Sequence, residues 1–586
     1  MDLDNDVPLK IAQVRAVSDQ HGLVPSPSTA AIIVICLVLF ATRVASSAYS
    51  QSQQVSVDNG STKAKTVPIA GYWFPLLGHL PNMALDAAGF TKRLRSKYAD
   101  GMYALNFGGT VHNVMYTPGL ATALLNQKTS NADSEHVSNT LMKTIFGFPK
   151  AEQAKYDAAL PEIMACYKHL LSEPELGNMV QKTASRICTH IADLVTFNAS
   201  PVDQMLWERS SSSRPVASSS DDPPSAVEAS LLPLIRDFIA HTANPAIMGS
   251  NFIQNNPGFF DDLWSLDRGF LFLAAGVPRW LPFLFPNATR AHIARRRMLS
   301  SLRTYHSAME KYYNGDNPGQ DWQDLDDVGA LVKARMEVYR KYEWSLDARA
   351  ATEQALLWAT NANSNSLVFW IICRIYSDQD LLAMIREEIK PYATAVQPKQ
   401  EFPVAEPPRL ENFDVEALCS KCPLLKSCYI ECLRLDTASW SLKIVKQDFV
   451  LQSRDKESIK SDTSGWLLRK GEYAHAAHDL HNTDPNYFPN PMTFKPDRHI
   501  KREGKQEATA DMGSIRPYGG GSSMCKGRAF ALKEVLMFVA AIVAVWDIDP
   551  VGGGKWEMPQ HRKATGVYGT DDNIKVWVRR REMQAS

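Results

Sequence analysis

RPYGGGSSMCKGRAFALKEVLMFVAAIVAVW, residues 516–546, is the stretch on which the reading of this chain turns. Gly519, Gly520 and Gly521 precede Cys525, and Gly527 follows it. Glycine lets backbone take positive φ and approach a flat partner closely. A long apolar run of helical character begins just after the cysteine. A thiol at a helix start meets the positive end of the dipole and amide N–H groups that lack an intrahelical acceptor. Both favour thiolate over thiol. On the cysteine and glycines alone, a structural cysteine at a glycine-rich turn competes with a ligand or reactive thiolate.

The order Tyr518, Gly521, Cys525, Gly527, Phe530, Ala531 is more specific. It resembles the haem-ligand signature of the cytochrome P450 family: an aromatic seven before the cysteine, Gly four before, Gly two after. The resemblance implies haem b, with Cys525 as the axial ligand to iron and Tyr518, Gly521 and Gly527 shaping its loop. A thiolate ligand pushes electron density to iron and promotes O–O cleavage. The family places Arg or His two before the cysteine, facing a haem propionate, where this chain has Ser523. The family's Trp-x-x-x-Arg is also missing. Lys168 and His169 in CYKHLL stand roughly where it is expected and are the candidate propionate partners, with solvated surface residues as the alternative.

Upstream, SCYIECLRL (427–435) sets Glu431 and Arg434 three apart, on one helix face. Its apolar flanks predict burial, where an ion pair needs further hydrogen bonds. The pair resembles the family's E-x-x-R, and FKPDR (494–498) resembles the partner segment. Glu431, Arg434 and Arg498 are therefore expected to form a structural triad behind the haem. Cys419, Cys422, Cys428 and Cys432 match no closed zinc module, and Cys428 and Cys432 read as core thiols.

EQALLWATNANSNSLVFWIICRIY (353–376) is the helix expected to cross the haem. Most of the family carries an acid followed by Thr there, to deliver protons. This chain has Ala362 and Asn363, then Ser364. Ala362 cannot relay a proton. Asn363 can donate and accept hydrogen bonds, and Ser364 can hold a water. The alternative is that both bond to backbone of their own helix. The W-A-x-x-A-N pattern resembles the subgroup of sterol 7-alpha- and 12-alpha-hydroxylases and prostacyclin synthase, which includes both monooxygenases and an isomerase.

Composition fits a globular chain of 586 residues, 45% hydrophobic and 22% charged. The 63 basic and 63 acidic residues balance, so no nucleic-acid footprint is present. Nine cysteines, an odd number, argue against a disulfide framework and for a reducing compartment.

Residues 1–27 read as a polar tail and 28–45 as a transmembrane anchor, at the lower end of the ~17–25 residues that span a bilayer. A cleaved signal core is the alternative, opposed by Asp2, Asp4, Asp6 and Asp19 ahead of it. The flanking basic residues lean toward a cytosolic catalytic portion. Residues 46–66 are expected to be a flexible linker and 67–586 the haem-thiolate catalytic domain. The Ser/Pro-rich RSSSSRPVASSSDDPPS (209–225) reads as a disordered insertion, about 208–226. The apolar FLFLAAGVPRWLPFLFP (270–286) reads either as buried core or as a surface loop dipping into the membrane.

The expectation is a mainly α fold with a small β portion, a cytochrome P450 fold preceded by one N-terminal transmembrane helix. It is expected to be single-pass in the endoplasmic reticulum membrane. The implied activity is monooxygenation of a lipophilic substrate, such as a sterol or terpenoid, with dioxygen. No flavin or nicotinamide fingerprint is present, so electrons must come from a partner, an NADPH-cytochrome P450 reductase docking near Lys526 and Arg528. A haem-thiolate isomerase or dehydratase needing no reductase is the second reading, and a non-catalytic haem-binding protein the third.

Overall fold

The computed structural model describes residues 27–583 apart from 53–56, 59–62, 217–224, 278–284, 400–405, 454–464 and 503–506. The first helix, α1 (Pro27–Ser52), contains a stretch, Ser28–Ala48, long and apolar enough to cross a membrane.

This helix overruns the expected anchor. Residues 46–52, expected to be flexible linker, extend α1, because no Gly or Pro interrupts them. Its end is docked: Ser46 is buried, and its Oγ accepts the Tyr72 N–H at 3.0 Å. The Arg43 guanidinium stands 5.7 Å over the Trp73 ring. Lys63–Thr66, also expected to be linker, is a strand pairing in parallel with Gly465–Leu468.

After α2 (Leu80–Lys97), the strands Met102–Phe107 and Thr110–Met115 form a hairpin that turns at Gly108 and Gly109. They join a five-stranded sheet whose spatial order continues with Tyr473–Ala477, Trp440–Val445 and Ala132–Asp133. The hairpin meets Tyr473–Ala477 in parallel, and every other pairing is antiparallel. The short α3 (Pro118–Leu125) packs on this sheet and ends beside the cysteine loop.

The expected insertion at 208–226 is partly ordered. Leu206–Ser210 is helical, and Arg214–Pro215 pairs with Val227–Ser230. The buried Glu208 carboxylate accepts the Thr196 and Met205 N–H groups at 2.8 and 2.9 Å, and the Ser211 and Ser213 hydroxyls pair at 2.8 Å. These serines are polar by composition but find partners inside the fold. Residues 217–224 lie outside the described residues.

The main core gathers around α10 (Arg528–Val545), whose Glu534–Val545 stretch is buried on all sides, as an all-round apolar helix must be. Four further helices matter here: α4 (Leu231–Ala243), α5 (Phe259–Ala274), α6 (Pro286–Asn314) and α9 (Pro423–Leu435). Phe238 of α4 meets Phe538 of α10 edge-on at 5.8 Å. Phe270 and Leu273 of the apolar 270–286 stretch are buried in α5, while its middle, 278–284, lies outside the described residues.

The crossing helix, expected to be continuous, is two: α7 (Leu346–Asn361) and α8 (Ser364–Tyr376). The break falls in NANSNS, whose short polar side chains compete for backbone partners. Ser364 Oγ donates to the Thr360 carbonyl at 3.0 Å, Asn361 Nδ2 to the Leu357 carbonyl at 2.9 Å, and Ser366 Oγ to the Ala362 carbonyl at 3.3 Å.

Candidate active site

Cys525 sits between a tight turn, Gly521–Ser523, and the start of α10. Its N–H donates to the Tyr518 carbonyl at 3.0 Å, closing the loop. Gly521 has φ +61°, and a Cβ there would stand 2.1 Å from the Leu125 carbonyl oxygen, so no other residue fits. The Tyr518 hydroxyl pairs with that of buried Tyr429 on α9. Ser523 Oγ meets Ser134 Oγ at 2.7 Å.

Cys525 is exposed, as is Cys36 in α1; the remaining cysteines are buried or half-buried. Burial pushes the Cys419 thiol up to about 11 and the Cys422 thiol up to about 12. A thiol held open on backbone that only glycine can adopt has the chemistry and access of an axial ligand for a haem.

Lys443, on the Trp440–Val445 strand, is 1% exposed, and its Nζ donates at 3.1 Å to the same Leu125 carbonyl that crowds Gly521. Burial lowers its pKa and the nearby Asp133 opposes this. An ammonium has three donors. A buried cation with a neutral acceptor, beside the cysteine loop, fits a carboxylate such as a haem propionate. Sequence reading missed it. The available signal was a lysine inside the alternating strand pattern WSLKIV. Lys168 and His169 lie in the turn Tyr167–Leu170, Lys168 exposed and His169 half-buried. That turn packs against the helices Gln153–Cys166, Glu175–His190 and Ala330–Lys341. Lys443, unlike Lys168 and His169, reaches the Leu125 carbonyl beside the cysteine loop.

Glu431, Arg434 and Arg498 meet. Arg434 donates to both Glu431 oxygens at 2.8 Å, and Arg498 Nε donates at 2.9 Å. His499 Nε2, which sequence reading missed, reaches the second oxygen at 2.9 Å. Arg434 also donates to the Asn482 and Pro491 carbonyls at 2.7 and 2.6 Å. Burial alone would raise the Glu431 carboxyl, but the hydrogen bonds from Arg434, His499 and Arg498 bring it down to about 2.

At the helix break, Asn363 Oδ1 accepts the Val567 N–H at 3.0 Å. Ser364 is buried, and its hydroxyl lies between the Thr360 carbonyl and the Glu534 carboxyl of α10. Burial pushes Glu534 up to about 8, against the opposing hydrogen bond of Ser364.

A cavity of about 30 Å³ opens beside Ala362 and Asn363, lined also by Arg236, Trp264, Asp267 and Arg562. Asp267 of α5 accepts the Trp358 indole N–H at 2.9 Å. Burial raises the Asp267 carboxyl, while Trp358 and the cations Arg562, Arg236 and Arg268 lower it. Arg236 stacks over Trp264 at 4.3 Å. Arg562 reaches Asp571 at 3.1 Å, whose side chain is 62% exposed.

Residues 278–576 match the family model described as Cytochrome P450. The chain is 23% identical over 577 residues to the cytochrome P450 monooxygenase efuG of Hormonema carpetanum, covering 92% of this chain and 93% of that one. The cytochrome P450 monooxygenase calL of Penicillium decumbens is 28% identical over 329 residues, 56% of each chain. The cholesterol 7-alpha-monooxygenase of Cricetulus griseus is 25% identical over 306 residues, 51% of this chain and 53% of that one.

Proposed function

The chain belongs to the cytochrome P450 family, and on that premise we propose that it is a membrane-bound monooxygenase of a lipophilic polycyclic substrate, a sterol or terpenoid. The family's cofactor is haem b with a cysteine thiolate ligand, and Cys525 is that thiolate. When bound, the haem supplies dioxygen activation at a thiolate-ligated iron. The chain supplies the rest. The Tyr518 carbonyl fixes the Cys525 backbone, Gly521 and Gly527 keep the loop thin, and Lys443 would hold a propionate. Asn363, its Oδ1 committed to Val567, retains its NH₂ to hold a water. Ser364 holds the helix break through Thr360 and Glu534 rather than carrying that water itself.

The observation that carries this reading is the exposed Cys525 thiol on its glycine-bound loop. The polycyclic substrate is supported by a relative named as a cholesterol 7-alpha-monooxygenase. The apolar α1 supports a single membrane span, which this reading sets in the endoplasmic reticulum membrane with the catalytic domain cytosolic. A membrane-bound NADPH-cytochrome P450 reductase supplies electrons at the face bearing Lys526 and Arg528.

A second reading, isomerisation or dehydration of an already oxygenated substrate, draws on the absent acid at Ala362 and the inward turn of Ser364. Incubation with reductase, NADPH, heavy dioxygen and a panel of sterols and terpenoids separates the two. Monooxygenation gives a product carrying one heavy oxygen, dependent on NADPH and lost in Cys525→Ala. An unlabelled product formed without NADPH would replace it with the second reading.

A further inference from the structure

Monooxygenation joins a substrate C–H, dioxygen, two protons and two electrons to give C–OH and water. The protons must cross the protein to the distal side of the haem. In this chain the residues at the helix break are poorly placed to bring them. Ala362 has no titratable group, Asn363 Oδ1 is held by the Val567 N–H, and Ser364 is turned to the Thr360 carbonyl and Glu534.

The cavity beside the break is different. At about 30 Å³ it is too small for a substrate ring and has room for about two waters. Its lining carries one carboxyl, Asp267, together with Arg236 and Arg562. The Asp267 carboxyl is oriented by the Trp358 indole at 2.9 Å, which leaves its second oxygen for water. Asn363 faces the same space. At the outer edge, Arg562 leads to Asp571, whose half-exposed partner Arg268 lies 3.3 Å from it.

We propose that Asp267, through water held in this cavity, delivers protons to the water at Asn363 and so stands in for the acid absent at Ala362. The inference rests on the monooxygenase reading and supplies its proton route. Each proton leaves the Asp267 carboxyl for a cavity water and passes to the Asn363 end. A proton from bulk, entering by the Asp571–Arg562 edge, restores Asp267. The electrons come from the reductase, so no charge is left behind. Asp267 acts through water and is a positioning residue of the relay.

The test uses the full chain with haem in nanodiscs. The ferrous protein is mixed with oxygenated buffer made in H₂O or D₂O, and the return of the ferric spectrum is timed. NADPH oxidised and peroxide released are counted in parallel with reductase present. Asp267→Asn should keep the ferrous–carbon monoxide spectrum, slow the return roughly tenfold or more, enlarge the solvent isotope effect and divert several-fold more electrons to peroxide. Asp267→Glu should restore all three. Ala362→Asp, which puts an acid at the break, should rescue Asp267→Asn.

Unchanged decay, isotope effect and peroxide share in Asp267→Asn would overturn the proposal. Equal losses in Asp267→Asn and Asp267→Glu with no rescue by Ala362→Asp would reduce Asp267 to a packing role and overturn it too. Should Asp267→Asn fail to take up haem, Ala362→Asp in the otherwise unchanged chain decides: the relay requires it to lower the isotope effect, and no change overturns the relay. An unsubstituted chain that turns over without NADPH and dioxygen removes the monooxygenase reading, and this inference with it, before any variant is compared.

Discussion

Glu431 accepts hydrogen bonds from Arg434, Arg498 and His499, with the Lys495 N–H at 3.1 Å as well. Such a carboxylate is a keystone only while it is ionised. Its pKa of about 2 lies below the ordinary 4.5, so the stability it contributes is present above pH 4.5 and is lost as pH falls toward 2. Acid titration of the holoprotein, followed by circular dichroism, should show haem release and unfolding in that window. Arg434→Ala, which leaves the buried carboxylate without its main partner, should cost about 3–5 kcal/mol and show as a denaturation midpoint far below that of the parent. Glu431 and Arg434 were legible because three-residue spacing on a helix fixes a shared face. Lys443 and His499 were not, because their neighbours come from distant segments that no local spacing encodes.

At the scale of elements, the break between α7 and α8 decides which side chains the segment expected to cross the haem presents. Its clamp is Ser364 against Glu534, a contact between α8 and the helix that follows the cysteine. The Glu534 pKa of about 8 stands above the ordinary 4.5. The fold therefore favours the protonated carboxyl, and stability from this group declines as pH rises from 4.5 to 8. Glu534→Gln, a permanent mimic of the neutral form, should raise the melting temperature more at pH 8 than at pH 5. Equal effects at both pH values would show that Glu534 is not held protonated. The apolar content of 353–376 marked a helix, but the interruption came from asparagine and serine side chains choosing backbone partners, a choice set by tertiary context. The serines at 210–213 were misread for the same reason: composition reports polarity, not whether a partner waits in the fold.

For the whole molecule, the mainly helical fold and the cysteine loop were legible in motif and apolar pattern, whereas the joint between α1 and the body was not. A stretch rich in Ser and Gln reads as slack, yet it continues the helix to Ser52, and Ser46 bonds Tyr72. Ser46→Leu should loosen the joint. In nanodiscs, polarised absorption of the haem should then report a wider spread of tilt, with the catalytic spectrum unchanged. A spread equal to that of the parent would mean that other contacts fix the angle. The docked joint has a consequence for encounter. A body on a string would present every side to a neighbour in turn, and most collisions would be wasted. A body set like the head of a nail keeps one side turned outward and one inward at all times. On the proposed membrane-bound monooxygenase reading, its search for a reductase would be a glide in two dimensions, with only rotation about the bilayer normal left to chance.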